Sequence, residues 1–281
     1  MLPIGQKLNS GELDDALRYL YGDALNTQKQ KYAALINAFE SAFGDSDDAV
    51  LFSAPGRSEI GGNHTDHQLG RVLAATVTMD TRAVVAPRID NIVRIHSQGY
   101  TPLCVSLDHL SPEATEENAS EALVRGIAER FTQTGRNIGG FDAVTASDVP
   151  KGSGLSSSAA FSILVSTIFS ELYNDGKITP VEQALASKYA ENKHFGKPSG
   201  LMDQLACAVG GFVMMDFEQP EQPKIEKIDC DLAALGYEIC IVNCGGNHAD
   251  LTPEYAAVTK EMGDVARYFG KSVLREVDEK E

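Results

Sequence analysis

The stretch Pro150-Lys151-Gly152-Ser153-Gly154-Leu155-Ser156-Ser157-Ser158-Ala159-Ala160 constrains this chain more than any other. It follows a strand-like run, Phe141 to Ala146, and precedes an apolar run, Phe161 to Tyr173, whose length and freedom from Gly and Pro predict a helix. Gly152 and Gly154 allow positive φ and close approach of the backbone to a ligand. The serines supply hydroxyls and helix caps where free N–H groups and the positive end of the helix dipole converge. That is the outline of an anion site, although the same residues also suit a plain Gly/Ser turn ahead of a well-capped helix. The spacing is not Walker A, because Lys151 precedes the glycines and no Gly-Lys-Ser/Thr follows them.

Charge narrows the ligand class. Lys and Arg number 24 and Asp and Glu 40, a formal net charge of −16. Such a surface repels phosphate backbones and anionic lipid, so neither nucleic acid nor membrane is an expected partner. A small anion remains compatible, since local amides, one or two basic groups and a metal supply its attraction. The 281 residues suffice for one large domain or two. The five cysteines (Cys104, Cys207, Cys230, Cys240, Cys244) show no paired metal spacing, and their odd number does not suit a disulfide framework. With no basic-then-apolar leader and no membrane-length apolar run, a cytoplasmic protein with reduced thiols is expected.

Along the chain, Leu13 to Tyr21 and Thr27 to Phe43 carry helical periodicity, with Gly44 as a stop. Ala49 to Ala54 reads as a short strand running into a polar, glycine-rich loop, Pro55 to His67, composed like a ligand-facing loop. Val72 to Met79, Arg82 to Pro87 and Ile92 to His96 read as three strands. Ser111 to Ser120 reads as an exposed connection and Glu121 to Phe131 as an amphipathic helix. Gly139-Gly140 opens the strand that feeds the loop at 150–160, and Thr179-Pro180 opens a helix through Ala190. Gly211 to Asp216 and Tyr237 to Asn243 are further strand candidates, the second leading to Cys244-Gly245-Gly246-Asn247-His248, in which His248 receives no role. The charged tail, Arg275 to Glu281, is expected to fray. Strands followed by helices argue for α+β layering.

Three segments carry a resemblance. Pro150-x-Gly152-x-Gly154-Leu155-Ser156-Ser157-Ser158 resembles the ATP loop of the GHMP kinases, the small-molecule kinases that include galactokinase, homoserine kinase and mevalonate kinase. Gly56-Arg57 followed by His64-Thr65-Asp66 resembles the galactokinase signature, except that Asn63 stands where that family has Glu and His67 where it has Tyr. Gly200-Leu201-Met202-Asp203-Gln204 is similar to the galactokinase segment Gly-Ile-Met-Asp-Gln.

The resemblance implies a two-lobed α+β GHMP-kinase-like fold whose N-terminal lobe holds a left-handed βαβ nucleotide-binding unit. It divides the chain into a helical lead-in (1–48), a nucleotide-binding lobe with the catalytic residues (49–205) and the start of a C-terminal lobe (206–281). It covers Ala49 to Tyr255. Nothing after Gly246 resembles the third glycine-rich motif that members carry near the end of a longer chain, so an incomplete C-terminal lobe is expected.

The implied activity is an ATP-dependent sugar 1-kinase converting α-D-galactose to galactose 1-phosphate. Asp203 and Arg57 take the catalytic positions. Asn63, His64, Asp66 and, on a weaker match, Tyr255 take the sugar-binding ones. Lys151, Gly152, Ser153, Gly154, Leu155, Ser156, Ser157 and Ser158 take the ATP-binding ones, and Ser158 and Glu191 hold Mg²⁺. Asn63 leaves related sugars open, such as an N-acetylhexosamine, a pentose or a uronic acid. A sugar- and ATP-binding regulator without turnover is the reading from another class, and oligomeric state is not encoded in these motifs.

Overall fold

A strand of 17 residues, β2 (Arg71–Pro87), is the spine of the molecule. The sequence suggests two strands there, Val72 to Met79 and Arg82 to Pro87, separated by the polar pair Asp80-Thr81. The strand continues because each buried polar side chain finds a hydrogen-bonding partner. Asp80 accepts from the hydroxyls of Tyr21 (2.6 Å) and Ser53 (2.6 Å) and from Arg82 (3.0 Å), and Thr81 shares a hydrogen bond with Ser147 (2.9 Å). A buried polar group so satisfied does not break a ladder.

The computed structural model describes residues 2–242, 252–278 and 280, and does not describe the side chains of 252–256. β1 (Val50–Gly61) pairs antiparallel along β2, with irregularities at Pro55/Arg57 and Glu59/Gly61. Much of the supposed ligand loop is thus strand, and its side chains are carried on rigid backbone. β2's other edge is shared in succession: its first part pairs β6 (Phe212–Asp216) and its last part β5 (Phe141–Ser147). β3 (Ile92–Ser97) lies parallel to β5, with β4 (Leu103–Ser106) beyond it, and β7 (Lys224–Ile228) closes the opposite edge. The short strands β4 and β7 have no distinct sequence signal.

Both faces of the sheet are covered, which the near-continuous apolar run through Ala83, Val84 and Val85 requires. Ala83, Val85 and Ala143 point into a core with Ile127 and Phe131 of α4 (Ser120–Gln133) and Ile163 and Phe169 of α5 (Ser157–Asn174). Val84 and Val144, one residue out of phase, pack against Tyr32, Leu35 and Phe39 of α3 (Leu25–Phe43). α1 (Ile4–Ser10) and α2 (Asp14–Tyr21) add Ile4, Leu8 and Leu17 to this second core. α1 is too short to announce itself by periodicity. A third cluster joins Val72, Ala74, Val213 and Met215 to Met202 and Leu205 of α7 (Met202–Val209).

α6 (Pro180–Ala190) starts as its sequence predicts, with Pro180 in the first turn and a Thr179/Glu182 capping box. It runs directly into a π-helical turn, Glu191–Phe195. Residues 237–242 form no strand, contrary to the reading of Tyr237 to Asn243, and residues 243–248, His248 among them, lie outside the described residues. α8 (Thr252–Tyr268) follows. Arg275 does not fray: its guanidinium holds Asp216 (2.5 Å) and the carbonyl of Leu69 (2.7 Å). Among the described residues no helix is long and apolar enough to cross a membrane.

Candidate active site

The loop at 150–156 alternates in backbone hand, with positive φ at Gly152 (70°), Gly154 (79°) and Ser156 (60°) and at none of the residues between. This alternation turns successive N–H groups toward one concavity, which favours an anion. The concavity opens onto the N-terminus of α5, where the orphan amides and the helix dipole add to it. Ser153 stiffens the loop by donating to the Pro150 carbonyl (2.7 Å) and accepting from the Leu155 N–H (3.3 Å). Lys151 is exposed at its rim.

Ser156 stands at the helix start but does not cap it with its side chain, as a serine in that position was expected to. Its hydroxyl instead donates to Asp203 Oδ2 at 2.6 Å. Asp203 Oδ1 accepts from Arg57 Nε (2.9 Å) and Nη2 (2.6 Å), and Arg57 Nη1 donates to the Gly154 carbonyl. Three segments lying 47 to 146 residues apart in the chain are therefore joined through four side-chain hydrogen bonds. Arg57 is 5% exposed, so its charge is met by Asp203 in a poorly solvated place.

Two close approaches make this convergence possible. The backbone of β1 meets the loop where the Arg57 N–H donates to the Leu155 carbonyl (3.1 Å), and a Cβ on Gly56 would lie 2.8 Å from that carbonyl oxygen. On the other side, a Cβ on Gly200 would lie 1.9 Å from Asp66 Oδ2, where only glycine fits. Asp66, expected among the hydroxyl-reading groups, is turned to the backbone. It accepts from the N–H groups of Leu201 (2.7 Å) and Met202 (3.1 Å) at the start of α7, and its side chain is 5% exposed. Burial alone would raise its carboxyl. The His67 ring, the two amides and the His64 ring outweigh that and hold it below the usual carboxylate range.

Asn63 and His64 are exposed and both left-handed, with φ of 51° and 52°. The His64 N–H donates to Glu59 (2.9 Å), and its ring lies 3.4 Å from Glu59 and 4.0 Å from Asp203. Glu59 was hidden from sequence reading because it sits mid-strand in a loop-like stretch. The side chain of Tyr255 lies outside the described residues.

Glu191 is 1% exposed and accepts from Ser158 (2.8 Å), Gln204 (3.0 Å) and Ser199. It opens the π turn, a widening that often marks functional positions. His194, in the same turn, is tied to Glu129 of α4 at 2.7 Å. Among the described residues no three His, Cys, Asp or Glu groups gather as a self-sufficient metal cage. The oxygens present nonetheless fit Mg²⁺, which takes one or two carboxylates and completes its shell with water and phosphate. They are the Glu191 carboxylate, the Ser158 hydroxyl and Gln204 Oε1, which is buried without a partner. A cavity of about 540 Å³ lined by Lys31, Arg82, His96 and Asp148 lies elsewhere, between α3 and the ends of β3 and β5, and holds none of these groups.

Known proteins match the same segments. Residues 37–87 match the galactokinase galactose-binding signature, and residues 122–211 match the GHMP kinase N-terminal domain. The fold is similar to Lactococcus lactis galactokinase in complex with galactose, with a TM-score of 0.71 and 22% identity over 88% of this chain and 63% of that one. It is also similar to a D-glycero-D-manno-heptose 1-phosphate kinase from Bacteroides thetaiotaomicron (TM-score 0.55, 22% identity, 66% of this chain and 62% of that one). Methanococcus jannaschii mevalonate kinase gives a TM-score of 0.56 at 18% identity, over 77% of this chain and 70% of that one. The chain thus spans less than two thirds of the length of the two sugar-related kinases. Two family models thus fall in order on the segments that meet at Arg57 and Asp203, the galactokinase signature on the first and the GHMP kinase N-terminal domain on the second, and the α+β fold around them is similar to that of these kinases.

Proposed function

We propose that the chain carries the catalytic lobe of an ATP-dependent sugar 1-kinase, transferring a phosphoryl group to the anomeric hydroxyl of galactose or a close relative. The observation that carries this reading is the continuous set of bonds from the anion-binding loop through Arg57 and Ser156 to Asp203.

Phosphoryl transfer needs charge held on the phosphates, an in-line acceptor and a place for the acceptor's proton. The amides of 152–156 and the start of α5 would hold the phosphates. Bound at Ser158 and Glu191, Mg²⁺ would supply neutralising charge to them. Asp203 has three of its roughly four acceptor sites taken, and the fourth is free for a sugar hydroxyl. In that position its carboxylate takes the proton as the hydroxyl oxygen attacks, while Arg57 and Ser156 keep it from turning away. The His64 ring stands 4.0 Å from Asp203, and Asn63, the residue before it, carries an amide that both donates to and accepts from hydroxyls. Asp66 contributes by fixing the start of α7, on which Asp203 sits.

The test is ADP release, measured by a coupled assay against galactose, N-acetylgalactosamine, arabinose and galacturonate, with Asp203→Asn as the control. Asn preserves shape but takes up no proton, so turnover should fall by about 10²–10⁴-fold while ATP binding persists. Near-normal turnover in Asp203→Asn would remove that residue from the chemistry, and no ADP release with any sugar would refute the kinase reading.

A further inference from the structure

The groove between α3 and the ends of β3 and β5 lies apart from the residues that meet at Asp203. It is open because the residues on its two sides are short. Ala34, Ala38 and Ala42 recur along one side of α3, all of them exposed, and Val144 and Ala146 of β5 stand across from them. Its volume of about 540 Å³ falls within the range of small-molecule sites, about 300–1,000 Å³.

One end of the groove carries an incomplete set of hydrogen bonds. Arg82, 3% exposed, makes its three side-chain bonds through Nη1 alone, to Gln28, Asp80 and Asp148. Its Nε and Nη2 donate to no acceptor among the described residues, and Arg82 lines the groove. A buried N–H without an acceptor costs free energy, so a ligand that brings one is favoured there. Lys31, on the same wall, gives one proton to Asp148 at 2.5 Å and keeps two.

Charge decides which acceptor fits. Arg82 and Lys31 are already balanced by Asp80 and Asp148, so a dianion such as a phosphate monoester meets no surplus positive charge. A single carboxylate can instead replace Asp148, one charge for one. Asp148 is the acid free to leave, its side chain being 35% exposed where that of Asp80 is 3%. An ion pair as open to water as Lys31 with Asp148 is held by little. Along the rest of the groove Leu35, Val144 and the alanines offer a ligand no side-chain hydrogen bonds, which selects an apolar body. Toward Ala42 the wall is His96, whose ring packs on Phe43 with centroids 4.6 Å apart.

We propose that this groove binds a monocarboxylate with an apolar body, its carboxylate bridging Lys31 and the unused nitrogens of Arg82 as Asp148 turns out to solvent. Asp148 is then a built-in competitor for the site. The site stands whether or not the chain transfers phosphate.

The experiment titrates the full chain with 4-phenylbutyrate by calorimetry, with 4-phenylbutan-1-ol testing the charged head and acetate the apolar body. The acid should bind saturably with a Kd below about 1 mM, and each control about tenfold more weakly or less. Ala38→Leu fills the groove from an exposed helical position with a good helix former, so binding should vanish while the unfolding midpoint stays put. Lys31→Gln should weaken binding about tenfold through loss of a charged hydrogen bond, whereas Asp148→Asn should tighten it about three- to tenfold by removing the competitor. A nonspecific apolar contact would hold the alcohol as well as the acid and would not respond to Asp148. Absence of saturable binding, equal binding of acid and alcohol, unchanged affinity in Ala38→Leu or Lys31→Gln, or no tightening in Asp148→Asn overturns the proposal. Should Ala38→Leu fail to fold, the comparison of acid with alcohol and the response to Asp148→Asn decide.

Discussion

Arg57 meets Asp203 through two nitrogens and the Gly154 carbonyl through a third, so its planar fork determines where the carboxylate and the loop stand relative to each other. Lysine keeps the charge but offers its donors from one point, and cannot reach both partners in this geometry. Each charged hydrogen bond is worth about 1.5–3 kcal/mol. Loss of one should lower kcat/KM by roughly 10–100-fold in Arg57→Lys. Steady-state kinetics checks this, and turnover within a few-fold of wild type would mean that the positive charge alone suffices. At this scale the sequence was highly readable for residues whose neighbours are also distinctive: Asp203 within Gly200 to Gln204, and Arg57 after Gly56. It was poorly readable for Asp66 and Glu59. Both are acids beside polar residues, and only the fold reveals that one is buried against two backbone amides while the other reaches a ring from mid-strand.

At the scale of elements, the turn at 62–70 is joined to α7 through Asp66, and this joint has a pH signature. The folded-state carboxyl lies below its ordinary value, so the unfolded chain takes up the proton more readily. The stabilisation is complete above the ordinary carboxylate value of about 4 and is lost as pH falls below it. Asp66→Asn retains an acceptor oxygen but forfeits the charge. Its stability deficit against wild type, measured by urea unfolding, should therefore be constant near neutrality and narrow as pH drops toward about 3. A deficit that stays constant down to that pH would place the effect in packing rather than charge. The joint also shows why elements were harder to read than motifs. The break expected between Val72–Met79 and Arg82–Pro87 vanishes because Asp80 and Thr81 have partners on α2, β1 and β5, which no local pattern discloses. Conversely Tyr237 to Ile241 has strand composition, yet residues 237–242 pair with no strand among the described residues.

Across the whole molecule, the N-terminal helical layer and the glycine-rich loop at 150–156 share one polar node. Arg82, 3% exposed, donates to Gln28 of α3 (2.9 Å), to Asp80 (3.0 Å) and to Asp148 (2.8 Å), and Lys31 of α3 reaches the same oxygen of Asp148 (2.5 Å). Asp148 lies two residues before Pro150, and its N–H is held by the Asp80 carbonyl (2.9 Å), so the node fixes the point where β5 gives way to the loop. The two ends of this node should behave differently on mutation. Arg82→Met leaves the Asp80 carboxylate buried with only hydroxyl donors, and stranding such a charge costs about 3–5 kcal/mol. Asp148→Ala leaves Arg82 paired with Asp80 and Gln28, and removes a carboxylate that is 35% exposed, so the folding cost should be about 1 kcal/mol or less. What Asp148→Ala loses is the restraint at the loop's entry. Nucleotide affinity should fall several-fold with sugar affinity nearly unchanged, whereas Arg82→Met should lower the unfolding midpoint first. Titration of each variant with a fluorescent ATP analogue, alongside thermal unfolding, distinguishes these outcomes. Equal loss of sugar and nucleotide affinity in Asp148→Ala would show that the helical layer braces the lobe as a whole and not the loop in particular.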